Sequence, residues 1–336
     1  MTRRSFLAAT AAAAGAGAAP AIRTAMGFSP DCFTITRPPR TPLEYLELGY
    51  QRGAGGVQVI LSDLSAEYLK KLRARAEELG MYLEVTTGLP GEDTSKFEAI
   101  VKAAKDVGAH CMRSVCLGGR RYETFATLES WNTFVEESHK KLARIAGIME
   151  RNRMPIGIEN HKDWTVEQMV PLMKKFSSEY LGTCIDWGNN ISLLDDPYEL
   201  AEGLAPFAIA SHIKDMAVEE YEDGFYLSEV PLGEGMLDLK RMLTAIQKQR
   251  PKVKHSLDML TRSPLKVPCI RPKYWIPFPE RNGKYLAQTL ALVRANKPKK
   301  PLPWLEKMDK AAQLELETYN ISKSVEYARD GLGLRV

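Results

Sequence analysis

Short runs of aliphatic and β-branched residues alternate along the chain with longer segments in which apolar positions recur every three to four residues. The short runs at 32–36, 56–61, 82–86, 110–116, 155–160, 181–186, 207–213 and 253–259 read as strands bounded by turn formers. Their starts lie about 25 to 45 residues apart, the repeat of a strand–helix unit. Eight such units predict an α/β fold, a (β/α)8 barrel of about 250 residues. An open doubly wound sheet is the competing arrangement, but no Gly-x-Gly-x-x-Gly follows the first strand.

The intervening helices carry their own start and stop signals. Ser65 precedes a stripe of Tyr68, Leu69, Leu72, Ala76 and Leu79, and Gly80 stands where the helix should stop. The next unit repeats the plan with Phe97, Ile100, Val101, Ala104 and Val107 before Gly108. Thr165 and Gln168 have capping-box spacing, and Asp196-Pro197 places a capping carboxylate before a proline at the first helical position. Three connections are long, at 118–130, 216–235 and 260–281. All three leave the C-terminal ends of strands, where barrel enzymes build their sites. A Lys-Pro-rich linker at 297–303 leads to a last helical stretch ending near Asp330. The pattern divides the chain into a leader over 1–26, a barrel over 27–296, and a linker with a C-terminal helical extension over 297–336. That extension is expected to pack on the barrel or on a second copy of the chain, which would make a homo-oligomer.

The leader reads Thr2-Arg3-Arg4-Ser5-Phe6-Leu7 and continues as an alanine-rich run to Ala21. A positive start, a short weakly apolar stretch and small residues before a cut site form an export signal. The stretch is shorter than the ~20 residues that span a bilayer. The arginine pair resembles the twin-arginine signal, which exports folded proteins. Ala16-Gly17-Ala18 and Ala19-Pro20-Ala21 both suit cleavage. The expectation is a protein that is periplasmic or otherwise exported through the twin-arginine route, with no stable membrane insertion after cleavage.

Composition adds exclusions. Among 336 residues, 46 are basic and 42 acidic, a net charge of +4, and 44% are hydrophobic. These values exclude a disordered chain and a multi-span membrane protein. The small basic excess is not the concentrated positive field of a nucleic-acid binder. Five cysteines without a Cys-x-x-Cys pair exclude a zinc ribbon and a thioredoxin-like centre.

The late strands end alike, in Ile156-Gly157-Ile158-Glu159-Asn160-His161, Thr183-Cys184-Ile185-Asp186-Trp187-Gly188-Asn189, Ala210-Ser211-His212-Ile213-Lys214-Asp215 and His255-Ser256-Leu257-Asp258-Met259. Strand alternation sends Ile156 and Ile158 to the helix layer, so Gly157 and Glu159 face the barrel axis. By the same rule Asp186, His212 and Asp258 point inward above the small residues Cys184, Ala210 and Ser256. A single carboxylate at a strand end is ordinarily a helix cap, and a single histidine ordinarily a core residue. Three carboxylates and an imidazole at one height repel and resist ionisation unless a cation compensates them. Glu159, Asp186, His212 and Asp258 are therefore expected to hold one divalent metal ion. Three oxygen donors and one nitrogen suit Mn²⁺, Mg²⁺ or Co²⁺, with Zn²⁺ and Fe²⁺ as further candidates.

These runs, with Pro231-Leu232-Gly233-Glu234-Gly235, resemble the xylose isomerase-like TIM barrel superfamily, which includes sugar isomerases, epimerases, an inosose dehydratase and endonuclease IV. The resemblance spans about residues 28–296. It implies a Glu-Asp-His-Glu metal site in which the two glutamates act as acid and base. Glu159, Asp186 and His212 match this pattern, while Asp258 stands where the family has glutamate, one methylene shorter. Glu159 and Asp258 are the expected catalytic pair, flanking a carbonyl whose neighbouring C–H loses a proton. His161, Lys214, Arg113 and Trp187 are the expected contacts to a small-molecule sugar. The leading expectation is an isomerase or epimerase of a nonphosphorylated sugar or keto-polyol, since no Gly-rich phosphate cradle appears. A lyase or hydratase acting on a keto-sugar or keto-glycoside is the nearest alternative, and a noncatalytic sugar-binding barrel the third. DNA repair on the endonuclease IV pattern would need more metal ligands and conflicts with an export signal.

Overall fold

A computed structural model describes residues 22–36 and 41–336. Among the described residues eleven strands form, in chain order β1 (Gly27–Phe28), β2 (Gly56–Val59), β3 (Tyr82–Thr86), β4 (Cys111–Val115), β5 (Ile156–Glu159), β6 (Leu181–Asp186), β7 (Ala208–Ile213), β8 (Asp215–Tyr221), β9 (Gly224–Val230), β10 (Lys254–Leu257) and β11 (Leu265–Val267). Eight of them close into a parallel barrel in the order β1-β10-β7-β6-β5-β4-β3-β2. The fold is the expected (β/α)8 barrel, and seven of its strands lie within or across the predicted runs.

The first strand differs. The run at 32–36 is not a strand. Ser29 accepts a hydrogen bond from the Asp31 amide, and Pro30–Phe33 winds into a 3-10 turn. Proline fixes the backbone and removes a ladder donor at the point where a strand would begin. The barrel strand is the two-residue segment before it, Gly27–Phe28. The expected connection over 216–235 is largely an antiparallel hairpin of β8 and β9, joined by β11 in a separate three-stranded sheet.

Helices cover the barrel because their apolar stripes meet the outward faces of the strands. Leu72, Val101, Ile145, Met169, Leu200 and Ile246 are buried against a layer that includes Val57, Leu83, Met112, Ile158, Ile185 and Ile213. Each such side chain contributes about 1.5–3 kcal/mol relative to exposure. Ser65 accepts from the Tyr68 amide, and Gly80 closes that helix at φ 62°. The capping box at Thr165 closes on its glutamine side, where the Thr165 amide donates to Gln168 Oε1 at 3.4 Å, while Thr165 Oγ1 has no hydrogen-bond partner among the described residues.

Inside, the barrel floor is plugged by the Tyr82 ring. A Cβ at Gly56 would stand 2.5 Å from that ring, so only glycine fits. The final helix, Lys310–Asp330, buries Glu317, Asn320, Ile321, Ser324, Val325 and Ala328. Glu317 accepts from the Ile35 and Thr36 amides, and Asn320 Nδ2 donates to Thr261 Oγ1. This helix therefore ties the loop after β1 to the loop after β10. Of the expected leader, residues 1–21, and with them the arginine pair and both cleavage motifs, lie outside the described residues. Thr24 and Met26 are buried, and the backbone amides of Thr24 and Ala25 donate to the carbonyls of Gly53 and Leu334. Among the described residues, no helix is long and apolar enough to cross a membrane.

Candidate active site

Parallel pairing brings the late strand ends to one height. Asp186 pairs with His212, Ser256 pairs with His212, and Glu159 pairs with Cys184. Glu159, Asp186, His212 and Asp258 are all buried. His212 Nδ1 lies 3.3 Å from Glu159 Oε2 and 4.0 Å from Asp186 Oδ2. Lys214 Nζ stands between the other carboxylates, 2.8 Å from Asp186 Oδ2 and 2.6 Å from Asp258 Oδ2. Arg113 on β4 donates from Nε to Glu159 Oε2 at 2.6 Å, and its Nη2 contacts the same oxygen.

A further set of residues orients these groups. Ser29 Oγ donates to Asp258 Oδ1 at 2.7 Å. The Gly188 and Asn189 amides donate to Asp186 Oδ1 at 3.0 and 2.8 Å. Asn189 Nδ2 donates to Glu159 Oε1 at 3.1 Å. Below them, Gln58 Nε2 donates to Glu84 Oε2 at 2.7 Å, which turns the Gln58 carbonyl towards His212 Nε2 at 2.9 Å. His212 Nε2 is therefore a protonated nitrogen. In the neutral ring this leaves the Nδ1 lone pair facing the carboxylates, the arrangement by which an outer partner prepares a metal-binding imidazole.

The charge balance follows from these contacts. Burial pushes the Glu159 carboxyl up, but Arg113 and His212 outweigh it and hold it well below the usual range. Burial also opposes ionisation of Asp258, and Lys214 and His212 overcome it. Asp186 differs: burial, Glu159 and Asp258 raise its pKa despite Lys214. Burial works against a charged His212, and Cys184 and Glu159 outweigh it, so its pKa is raised.

The donor set fits a divalent cation. Asp186, His212 and Asp258 offer ligand atoms within 4.8 Å of one another. His212 Nδ1 and Asp186 Oδ2 are buried atoms without an aligned hydrogen bond among the described residues. Glu159 falls in a second such group, with Cys184 and His212. The expected four ligands are thus gathered as two overlapping sets that share His212, because Arg113 holds Glu159 on the β4 side.

The expected substrate contacts divide. Arg113 and Lys214 enter the site. His161 stands at its edge, with Nδ1 3.0 Å from the Leu117 carbonyl oxygen. Burial first and Lys162 among the nearby charges lower its pKa to about 4. Trp187 is a correction. Its ring is fully buried, donates from Nε1 to Ser211 Oγ and meets His255 edge-on, so it offers no face to a sugar. Sequence reasoning missed Gln58, Glu84, Ser29, Asn189 and Lys162. For Gln58 and Glu84 the signal was a polar residue between two aliphatic ones in mid-strand, Val57/Val59 and Leu83/Val85.

A closed parallel barrel with acids, an imidazole and two cations converging at its C-terminal rim has the architecture of a barrel enzyme. The family model described as xylose isomerase-like TIM barrel matches residues 46–268, and the chain belongs to that family. It is 28% identical over 200 residues to the 3-oxo-isoapionate decarboxylase of Pectobacterium atrosepticum, covering 57% of this chain and 68% of that protein. The solved 3-keto-D-glucoside 4-epimerase of E. coli is similar at 15% identity and a TM-score of 0.51, over 81% of this chain and all of that one. The IolI protein, solved with a zinc atom, is similar at 16% identity and a TM-score of 0.52, over 79% of this chain and 96% of that one. The structural likenesses establish the fold, and together the matches support an enzyme that modifies sugars.

Proposed function

We propose that this protein is a metal-dependent isomerase or epimerase of a nonphosphorylated keto-sugar or keto-polyol, working by proton removal beside a carbonyl. The observation that carries the reading is the convergence of Glu159, Asp186, His212 and Asp258, of which Asp186, His212 and Asp258 offer ligand atoms within 4.8 Å of one another. Asp186, His212 and Asp258 would hold the cation, with Glu159 beside them. The chemistry a divalent ion would supply there is polarisation of the substrate oxygens, which would acidify the neighbouring C–H. Glu159, its oxygens fixed by Arg113 and Asn189, accepts the proton. Asp258, held by Ser29 and Lys214 just beyond β10, is the partner that exchanges a proton with the opposite face. Lys214 supplies positive charge beside the developing oxyanion. The leader supports an exported enzyme that meets its substrate in the periplasm.

One observation favours a second reading, a lyase. Both candidate bases are already ion-paired, Glu159 with Arg113 and Asp258 with Lys214. Paired carboxylates are weak bases, whereas loss of carbon dioxide from a 3-oxo acid needs no base. The decarboxylase relative accords with this.

Incubation in D₂O with keto-sugars, 3-keto-glycosides and 3-oxo sugar acids separates the readings. The isomerase reading expects a product that differs in mass from the substrate only by the deuterium carried next to the carbonyl, abolished in Glu159→Gln and by a chelator. The lyase reading expects a lighter product and released carbon dioxide, water or alcohol. Exchange that survives in Glu159→Gln sinks the assignment of the base.

A further inference from the structure

Among the described residues, the cations around the site are each matched to a carboxylate, with one exception. Arg113 pairs with Glu159, Lys214 with Asp186 and Asp258, and Arg262 with Glu229. Lys162 is 5% exposed, and its Nζ donates only to the neutral amide oxygen of Asn189. Among the described residues, no carboxylate lies within 4.0 Å of that ammonium. The same Asn189 oxygen is 3.4 Å from Lys214 Nζ, so two ammonium groups crowd one neutral acceptor. Burial first, and Lys214 next, pull the Lys162 pKa down to about 8 against the opposing pull of Asp186 and Glu229, neither of which reaches ion-pair distance, and this leaves it mostly charged at neutral pH.

The backbone of Lys162 is unfavourable as well. Its φ is +62°, in the left-handed region that suits glycine, and its carbonyl accepts the Arg121 amide at 3.0 Å to hold the turn. This left-handed turn stands three residues beyond Glu159. A buried charge with no carboxylate in contact is costly, and so is a left-handed lysine. Two costs at one residue, beside the reacting groups, mark a functional position rather than a packing solution.

We infer that Lys162 Nζ receives the carboxylate of a keto-sugar acid, so that the enzyme's substrate is anionic. The inference rests on the carbonyl chemistry proposed above and names its substrate class. One unmatched positive charge answers one negative charge. A phosphate dianion is ordinarily cradled by several backbone amides, whereas this position offers a single ammonium. The Asn189 amide group is already committed to Glu159 and to the Asn160 carbonyl.

Isothermal titration calorimetry on the full chain, with Mn²⁺ present, tests this with matched probes. The pairs are 2-keto-D-gluconate with D-fructose and 5-keto-D-gluconate with L-sorbose, and D-fructose 6-phosphate is the phosphate arm. The wild type is expected to bind at least one acid roughly tenfold or more tightly than its neutral partner, and that ratio should fall to about one in Lys162→Met and Lys162→Gly. Glycine relieves both the turn and the buried charge, so Lys162→Gly should melt no lower than the wild type while losing the preference. Equal binding within both pairs, a ratio unchanged in both variants, or tighter binding of the sugar phosphate than of either acid would overturn the inference. Deuterium exchange into ketoses without acid preference removes this inference and leaves the carbonyl chemistry standing. Acid preference without any exchange does the reverse.

Discussion

Replacing His255 with leucine should flatten an acid-side loss of stability. His255 lies on β10, is 4% exposed, and packs edge-on against Trp187 at 6.3 Å between ring centroids. Neither of its ring nitrogens has a hydrogen-bond partner among the described residues. Burial first and Lys254 second lower its pKa from 6.5 to about 4. Between those values the unfolded chain binds a proton that the folded chain refuses. Stability is therefore present above about pH 6.5 and is lost as pH falls towards 4. At about 1.4 kcal/mol per unit, a gap of about 2.5 units is worth about 3 kcal/mol, of which about 2.5 kcal/mol is lost by pH 4.5.

Other groups titrate in the same window. His161 is lowered by burial to about 4, and burial raises Asp195 and Asp215 to about 6. The raised carboxyls act in the opposite sense, gaining stability on acidification. All of them are common to both proteins and cancel in the difference. Urea unfolding of wild type and His255→Leu from pH 7.5 to 4.5 measures that difference. At pH 7.5 leucine should cost little, because it removes two unsatisfied nitrogens with the ring. By pH 4.5 the variant should have gained about 2.5 kcal/mol on the wild type. Parallel curves would show that His255 is solvated or paired in solution, and the reasoning would fail.

Arg113→Met leaves Glu159 buried without its nearest cation and should cost about 3–5 kcal/mol in urea unfolding; a loss below about 1 kcal/mol would show that His212 alone holds the charge. Gln58→Leu removes the acceptor for His212 Nε2 and should weaken Mn²⁺ or Co²⁺ binding about 10–100-fold in equilibrium dialysis, whereas an unchanged affinity would refute the tautomer argument. Glu317→Ala strips the acceptors from the Ile35 and Thr36 amides and should destabilise by about 1–3 kcal/mol, read as a lower urea midpoint at constant slope. Dialysis against a chelator should lower Tm, and Mn²⁺ at 100 times its Kd should restore about 2.7 kcal/mol. A Tm indifferent to both treatments would count against a resident cation.

What could be seen in the sequence depended on how long each segment keeps a regular period. From β5 to β7 the alternation of aliphatic and polar residues holds to the strand end, and the small residues Gly157, Cys184 and Ala210 beneath the polar ones mark the inward face. There the parity of two placed Glu159, Asp186 and His212 correctly. It carried one step further to Lys214, because β7 and β8 are separated by that single residue. Applied strictly, the same parity excludes Trp187, which follows the inward Asp186 by one and so belongs to the outer layer where it is found. The error was to set periodicity aside for an aromatic residue beside the site. β1 was hidden for a different reason: two residues are too few to show a period, and the apolar pair beyond them belongs to a proline-initiated turn.

Where the chain leaves its strands, backbone handedness takes over from parity. Asp186 is followed by a turn in which the Gly188 and Asn189 amides fold back onto its own Oδ1, and that turn, rather than any repeat, delivers Asn189 to Glu159. Lys162 is the stronger case. Counting in twos from Glu159 would send it away from the axis, yet a positive φ brings its ammonium onto Asn189. No hydrophobic pattern records a left-handed lysine, since its environment is set by one dihedral angle and a carbonyl held by Arg121. The readable part of the site is thus the layer that gathers negative charge at the strand ends and could hold a cation. The unreadable part is the turn that adds an unmatched positive charge, and that turn is where discrimination between a neutral and an acidic sugar would reside.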